Sequence, residues 1–416
     1  MNALRILHFA DAHIDMANFG RHDPETGLPI RVMDFLESLD EIVDTAIEEK
    51  VDLVIFAGDA YKDRNPQPTF QREWGRRIMR LSNAGIPTVL LVGNHDLSPS
   101  ISRAHALEEF ATLEVPHVRV LEDPVMLGPN ELEGLPLQLL AIPWLTRSKM
   151  MARWDMQGKS VDEISTELEG RLTDLIADYL RDADPNLPIV LTAHASVQGA
   201  VYGGERTVML GGDLVLSGSL VKNPRFSYVA LGHIHKKQDL NEGSQPPVVY
   251  PGSIERVDFG EAQDDKWFVI VEIEQGKDTQ LDWRKLKNIR SFIDLRPIKL
   301  SAGDDVNKIL QDALPAKEQM KDAILRLRVE FPRELEAVID EPALRELTAE
   351  CFEFHFVKRP QLETRVRIPE DQTVSELSSY ELLELYWKSG NMEAEQREEL
   401  KNLARTIIEF SEEDDE

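Results

Sequence analysis

Five apolar runs, each stopping at a residue of metal-ligand type, constrain this chain more than any other feature of it. Leu4–Phe9 leads to Asp11 and His13, Val51–Ala57 to Gly58 and Asp59, and Thr88–Val92 to Gly93, Asn94, His95 and Asp96. Pro188–Ala193 stops at His194, and Ser227–Leu231 at Gly232, His233 and His235. Such runs read as strands buried on both faces. Acids, amides and imidazoles leave polar groups unpaired in a dry interior, so they belong at the exposed strand ends. Between the first three runs, Val32, Phe35, Leu36, Leu39, Val43, Ala46 and Ile47 recur at helical spacing, as do Phe70, Trp74, Ile78 and Leu81. Strand–helix–strand alternation predicts an α/β fold with parallel strands, in which ligands bind beyond the strand ends.

With 416 residues, 42% of them hydrophobic, the chain can build two or three domains around sizeable cores. Its 47 basic and 75 acidic side chains give a net charge of -28, which argues against broad adhesion to nucleic acid or anionic lipid. A local basic strip or bound cations would still allow contact with DNA. Cys351 is the single cysteine, so neither an intrachain disulfide nor a thiolate zinc site is expected. Met1–Arg5 runs straight into a strand without a signal-peptide core, and no apolar run reaches membrane-spanning length. A cytoplasmic protein with no membrane association is the expectation.

Further strands are predicted at 118–121, 137–142 and 266–274, and helices at 101–112 and 160–182. Arg72, Arg76, Arg77 and Arg80 read as the solvated face of their helix. The first domain spans 1–290. Residues 291–360 form a small α+β domain, with strands at 323–329 and 352–357 and helices at 303–313 and 341–350. A linker at 361–374 precedes amphipathic helices within 375–410, and 411–416 is an acidic tail expected to be disordered. Helices carrying Leu382, Leu385, Trp387, Leu400, Leu403, Ile407 and Phe410 need a surface to cover, on their own domain or on a partner.

The strand ends together offer Asp11, His13, Asp59, Asn94, His95, Asp96, His194, His233 and His235. Singly, each has a plain structural explanation; jointly they exceed what one ion needs and suit two. Asp11 and His13, and likewise His233 and His235, are alternate residues, which share a side if the backbone is extended. Carboxylate, imidazole and amide oxygen without thiolate favour Mn²⁺, Fe or Zn²⁺. Two such ions about 3.5 to 4 Å apart can clamp a phosphate and activate water, so phosphate-ester hydrolysis is implied. His95 and Asp96 are candidates for handling the proton. His8, His22, His105, His117 and His355 fall outside the pattern.

The ordered series Asp-x-His, Gly-Asp, Gly-Asn-His-Asp, His and Gly-His-x-His resembles the calcineurin-like metallophosphoesterase superfamily. Within it, Gly58–Pro66, Leu191–Val197 and Tyr250–Glu261 resemble the SbcD-type nuclease subunits of double-strand-break repair complexes. That resemblance implies sheets flanked by helices, with 291–360 as a capping, DNA-binding domain and C-terminal helices. It implies one ion on Asp11, His13 and His235, another on Asn94, His194 and His233, and Asp59 as the bridge, with Mn²⁺ the expected metal. His95 would meet the scissile phosphate and Asp96 would orient its ring. Some relatives carry a second active-site histidine three residues after the bridging acid, where this chain has Lys62. The resemblance further implies DNA ends, hairpins and single strands as substrates, a coiled-coil ATPase of the SbcC type bound by the terminal helices, and a homodimer within a heterotetramer. Helices at 67–83 and 101–112 would form the dimer, the Phe70, Trp74, Ile78 stripe serving either that contact or the core. Arg326, Arg328, Lys358, Arg359, Arg365 and Arg367 are the candidate phosphate contacts of the cap.

Overall fold

The computed structural model describes residues 3–18, 21–97, 103–145, 161–203 and 215–361, with a few positions between 381 and 404. It divides into two compact units, Met1–Asp294 with Asp322–Ile324, and Leu295–Lys321 with Leu325–Glu416.

The predicted strands of the first unit form two six-stranded sheets. In the first sheet β1 (Leu4–Phe9), β2 (Leu53–Phe56), β3 (Thr88–Leu91) and β4 (Val118–Leu121) run parallel. Trp267–Ile273 then adds antiparallel to β1, and Gln280–Lys285 antiparallel to that strand. The second sheet has the same plan. Gln138–Ile142, Ile189–His194, Tyr228–Gly232 and Val248–Tyr250 are parallel, with Val125–Leu127 and Gln238–Asp239 as antiparallel edges.

The alternation of side chains explains why the runs are apolar throughout. Ile6, Leu53, Ile55, Val89 and Leu91 pack with Val190, Tyr228, Ala230 and Val249 between the sheets. Their sequence neighbours Leu7, Phe9, Val54, Phe56 and Leu90 face outwards onto α1 (Ile30–Glu48) and α2 (Pro68–Asn83). Leu191, Val229 and Leu231 similarly face Leu172 and Ile176 of the helix Val161–Asp182. The unit is therefore a two-sheet sandwich with helices on both outer faces. All five ligand-bearing strands end at one edge of it.

Phe70, Trp74, Ile78 and Leu81 of α2 are buried in the unit's own core, so that stripe is not a dimer surface. The arginines of α2 are less free than a solvated face: Arg77 and Arg80 reach Asp40 of α1 at 2.7 and 2.8 Å, and Arg72, Arg76 and Arg77 surround Glu73. Within the described part of the helix expected over 101–112, residues 103–112, the helix is α3 (Glu108–Thr112), anchored by the buried Leu107 and Phe110.

In the second unit the strand Ile324–Pro332 pairs with Ile298–Lys299 in parallel and with Glu353–Gln361. Leu325, Leu327, Val329 and Phe331 are buried, while Arg326, Arg328 and Glu330 alternate on the other face. Helices Val306–Asp312 and Glu341–Leu347 start at Asp305 and Asp340, each accepting a bond from a first-turn amide. Strand Glu353–Gln361 carries the chain past the expected strand end at 357. Of the terminal helices, Trp387 and Ala404 are described and buried.

Candidate metal centre

The ligand-type residues sit on tight loops, and the local backbone shows why each run ends in a small residue or a bend. Asp11, His13, Asp59 and His233 have φ values of 50, 41, 64 and 103°. Left-handed backbone costs a non-glycine residue about 1–3 kcal/mol and persists only where the surroundings enforce it, typically at functional sites. The expected extended geometry is thereby corrected. Asp11 and His13 converge through two left-handed turns, and the bend at His233 sends it and His235 to different groups of ligands. A side chain at Gly58 or Gly232 would collide with the His194 ring or the Ala57 carbonyl, and one at Gly93 with the Asp59 carboxylate. Only glycine lets these loops approach this closely.

Two overlapping sets of donors result. Asp11, His13 and His235 form one, with His13 Nε2 3.1 Å from His235 Nε2. Asp11, Asp59 and His194 form another, and Asn94 Oδ1 lies 3.0 Å from both His194 Nε2 and His233 Nδ1. Asp59 Oδ2 reaches both sides, at 3.9 Å from His13 Nε2 and 3.4 Å from His194 Nε2. All seven predicted ligands are thus within one buried centre, each less than a tenth exposed.

The hydrogen bonds behind the rings test whether cations fit. His13 Nδ1 faces the Tyr61 carbonyl at 3.2 Å and His194 Nδ1 the Ala57 carbonyl at 2.7 Å, while His235 Nδ1 faces Glu261 Oε1 at 2.7 Å. Each acceptor holds a proton on Nδ1, so that Nε2 is the ring atom aimed inwards. Between His13 and His235 lone pairs then face each other, and a cation would turn that repulsion into ligation. Despite its burial, the Asp59 charge raises the His194 pKa to about 9, so without an ion the His194 Nε2 carries a proton that a cation would replace. The donor set fits divalent ions. Electrostatics agree. Burial pushes the Asp11 carboxyl up, whereas Asp59 is held low despite burial because His194 lies beside it.

His95 stands at the rim. Its Nδ1 donates to the Lys62 carbonyl at 2.8 Å and its Nε2 lies 3.4 Å from the Lys62 ammonium. Both line a cleft of about 610 Å³ with Asp15, Met16, Ala17, Asn18, Asp63 and Arg64. Asp96 does not orient this ring. Its carboxylate accepts bonds of 2.9 Å from the amides of Asp59, Ala60 and Gly93, because consecutive residues in the turn point apart. Burial, then the Asp59 charge, raises its pKa to about 7. Asp96 therefore ties the loop after β2 to the loop after β3, and the ring-orienting role falls to the Lys62 carbonyl.

The sequence profile of the calcineurin-like phosphoesterases matches residues 4–237, more than half of the chain and every predicted ligand. The chain belongs to that family. The SbcD component of the SbcCD nuclease from Escherichia coli K12 is 27% identical over 282 residues, 66% of each protein. An uncharacterized metallophosphoesterase, YhaO, from Bacillus subtilis is 26% identical over 64% of this chain and 57% of its own. The DNA double-strand break repair protein Mre11 of Archaeoglobus fulgidus is 26% identical over 62% of this chain and 52% of its own. The chain thus spans 52 to 66% of the length of these curated relatives. The likeness to SbcD-type nuclease subunits is among the similarities found, and the phosphoesterase fold is shared.

Arg326 and Arg328 are half-buried on their strand; Lys358 is 3.1 Å from Glu341 and Arg359 is 3.9 Å from Glu330. Arg365 and Arg367 lie outside the described residues. The sequence patterns do not mark Trp144, whose ring centroid is 4.9 Å from that of His233, or Asp15, which accepts bonds from the amides of Lys62 and Asp63 at 2.5 and 2.9 Å. Neither belongs to a strand-end signature. Glu261 closes the family-like stretch Tyr250–Glu261, yet nothing in that stretch marks it as the partner of His235. No described helix is long and apolar enough to cross a membrane.

Proposed function

We propose that this phosphoesterase is a metal-dependent DNA exonuclease and endonuclease of the SbcD type, hydrolysing phosphodiester bonds at double-strand ends or hairpins. The observation that carries the reading is the joined donor set beneath the cleft lined by His95 and Lys62. In this reading Asp11, His13 and His235 would hold one ion and Asn94, His194 and His233 a second, with Asp59 shared between them and Mn²⁺ suited to the mixed oxygen and imidazole donors. Two such ions, when bound, clamp a phosphate and make water nucleophilic near neutral pH. The chain's own groups do the rest. His95, its Nδ1 proton held by Lys62, presents Nε2 to the cleft, where in its protonated form it would pass a proton to the leaving oxygen. The Lys62 ammonium would draw a non-bridging phosphate oxygen.

The names of the relatives support DNA as the substrate and an SbcC-type ATPase as the partner. A homodimer within a cytoplasmic heterotetramer and a cap at 291–360 complete the reading. In that cap Arg326, Arg328, Lys358 and Arg359 would meet the DNA backbone. The test is cleavage of end-labelled duplex and hairpin DNA with Mn²⁺, beside a small phosphodiester, with and without the ATPase. DNA should be degraded, and His95→Gln should be slower by roughly 10²- to 10⁴-fold while retaining its metal. Cleavage of the small ester alone, even with the ATPase present, would make this a small-substrate phosphodiesterase.

A further inference from the structure

The stretch Tyr250–Glu261 lies outside the metal ligands, yet it folds directly behind one of them. The Ser253 amide donates to the His235 carbonyl at 3.2 Å, and a side chain at Gly252 would strike that same carbonyl. Its last residue, Glu261, is 2% exposed and bonds His235 Nδ1 through Oε1. The other oxygen, Oε2, is ringed by donors: Lys266 Nζ at 2.5 Å, Ser253 Oγ at 3.2 Å and the Val257 amide at 3.1 Å. Lys266 is itself 1% exposed and also donates to Ser253 Oγ at 2.7 Å. A buried, fully bonded Glu–Lys pair contributes little net stability compared with apolar residues of the same size. Its placement against a ligand ring gives it another use.

We infer that Glu261, held in register by Lys266, Ser253 and Val257, is the positioning residue that fixes the His235 tautomer and thereby selects occupancy of one ion of the pair. This rests on the two-ion reading proposed for the centre. The carboxylate can accept only, so Nδ1 must carry the proton and Nε2 must face Asp11 and His13. His194 takes its Nδ1 acceptor from the Ala57 carbonyl and His233 Nδ1 faces Asn94, so Glu261 bonds no member of the second donor set. The two halves of the centre can therefore be separated.

Glu261→Gln tests this with nearly unchanged volume. Lys266 and the Val257 amide both require an oxygen at the Oε2 position, so the glutamine must turn its amide NH₂ towards His235. Nδ1 then becomes an acceptor, the proton moves to Nε2, and His235 no longer ligates. Glu255→Gln is the control: that carboxylate is equally buried in the same stretch, but it meets Arg31 and the Arg256 and Arg290 amides rather than a ligand.

Calorimetric titration of the metal-free full chain with Mn²⁺, followed by electron paramagnetic resonance, reads the outcome. The wild type and Glu255→Gln should take two ions and show a coupled Mn²⁺ pair. Glu261→Gln should keep one tight ion, bind the other roughly 10- to 100-fold more weakly, and show an uncoupled signal at limiting metal. Two unweakened ions in Glu261→Gln, loss of both, or equal loss in the Glu255→Gln control would overturn the inference. A wild type taking a single ion that Glu261→Gln loses would keep the positioning role and sink the two-ion reading. A wild type that takes none would sink both.

Discussion

At the scale of single residues, His95 and Lys62 work as one unit. The lysine carbonyl holds one ring nitrogen and its ammonium meets the other, and Asp15 fixes the lysine's backbone from the loop after β1. An ammonium in this place would offer charge to a phosphate oxygen. Lys62→Met should therefore lower kcat on the order of 10- to 100-fold and leave bound Mn²⁺ unchanged, as measured by steady-state hydrolysis beside metal analysis. Lys62→Arg should recover most of the loss. Unaltered kcat in Lys62→Met would show that the ammonium has no part in the reaction. The glycines at 58, 93 and 232 are equally specific, since each stands where a Cβ would strike a neighbouring loop or ligand.

At the scale of elements, the two sheets are joined by a buried polar contact as well as by their apolar faces. His8 of β1 meets the Tyr228 hydroxyl of the strand Tyr228–Gly232 at 2.8 Å. Burial lowers the His8 pKa from 6.5 to about 3, so the folded chain keeps it neutral. The unfolded state binds the proton first, so this contribution is complete above pH 6.5 and is lost as pH falls towards 3. Removing it should flatten the acid side of the stability profile. In urea unfolding of metal-free protein, wild type should lose about 2 kcal/mol more than His8→Gln between about pH 7 and 5. Equal losses would mean that His8 is protonated in the folded state. The pairing of Arg77 and Arg80 with Asp40 likewise joins α2 to α1, where the sequence alone suggests a solvated face.

At the scale of the whole molecule, the metal centre gathers residues from 11 to 235 into one edge of the sandwich, so ion binding and folding are linked. Ions that bind only the folded state stabilise it by about 2.7 kcal/mol per site at a hundredfold excess over Kd. Chelation should abolish hydrolysis and lower the melting temperature, and Mn²⁺ should restore both in a concentration-dependent way, as followed by calorimetry. A melting temperature indifferent to Mn²⁺ would argue against ions at this centre. The charge of -28 opposes approach to any polyanion, and divalent cations at the centre would lessen that repulsion.

Local chemistry makes much of this legible in the sequence by itself. An apolar run closed by Gly-Asp or Gly-Asn-His-Asp can hardly avoid being a buried strand with a ligand at its end, because burial and hydration sort those residue types wherever the strand lies. The five strands and the seven clustered side chains are readable for that reason. Tertiary structure alone decided which strands share a sheet, since a run buried on both faces carries no mark of its neighbours. It alone separated His233 from His235, because a left-handed bend is invisible in a residue spacing. It gave the His95 ring to a backbone carbonyl instead of Asp96, and set Glu261 behind His235, because hydrogen-bond partners far apart in sequence meet only when the two sheets close.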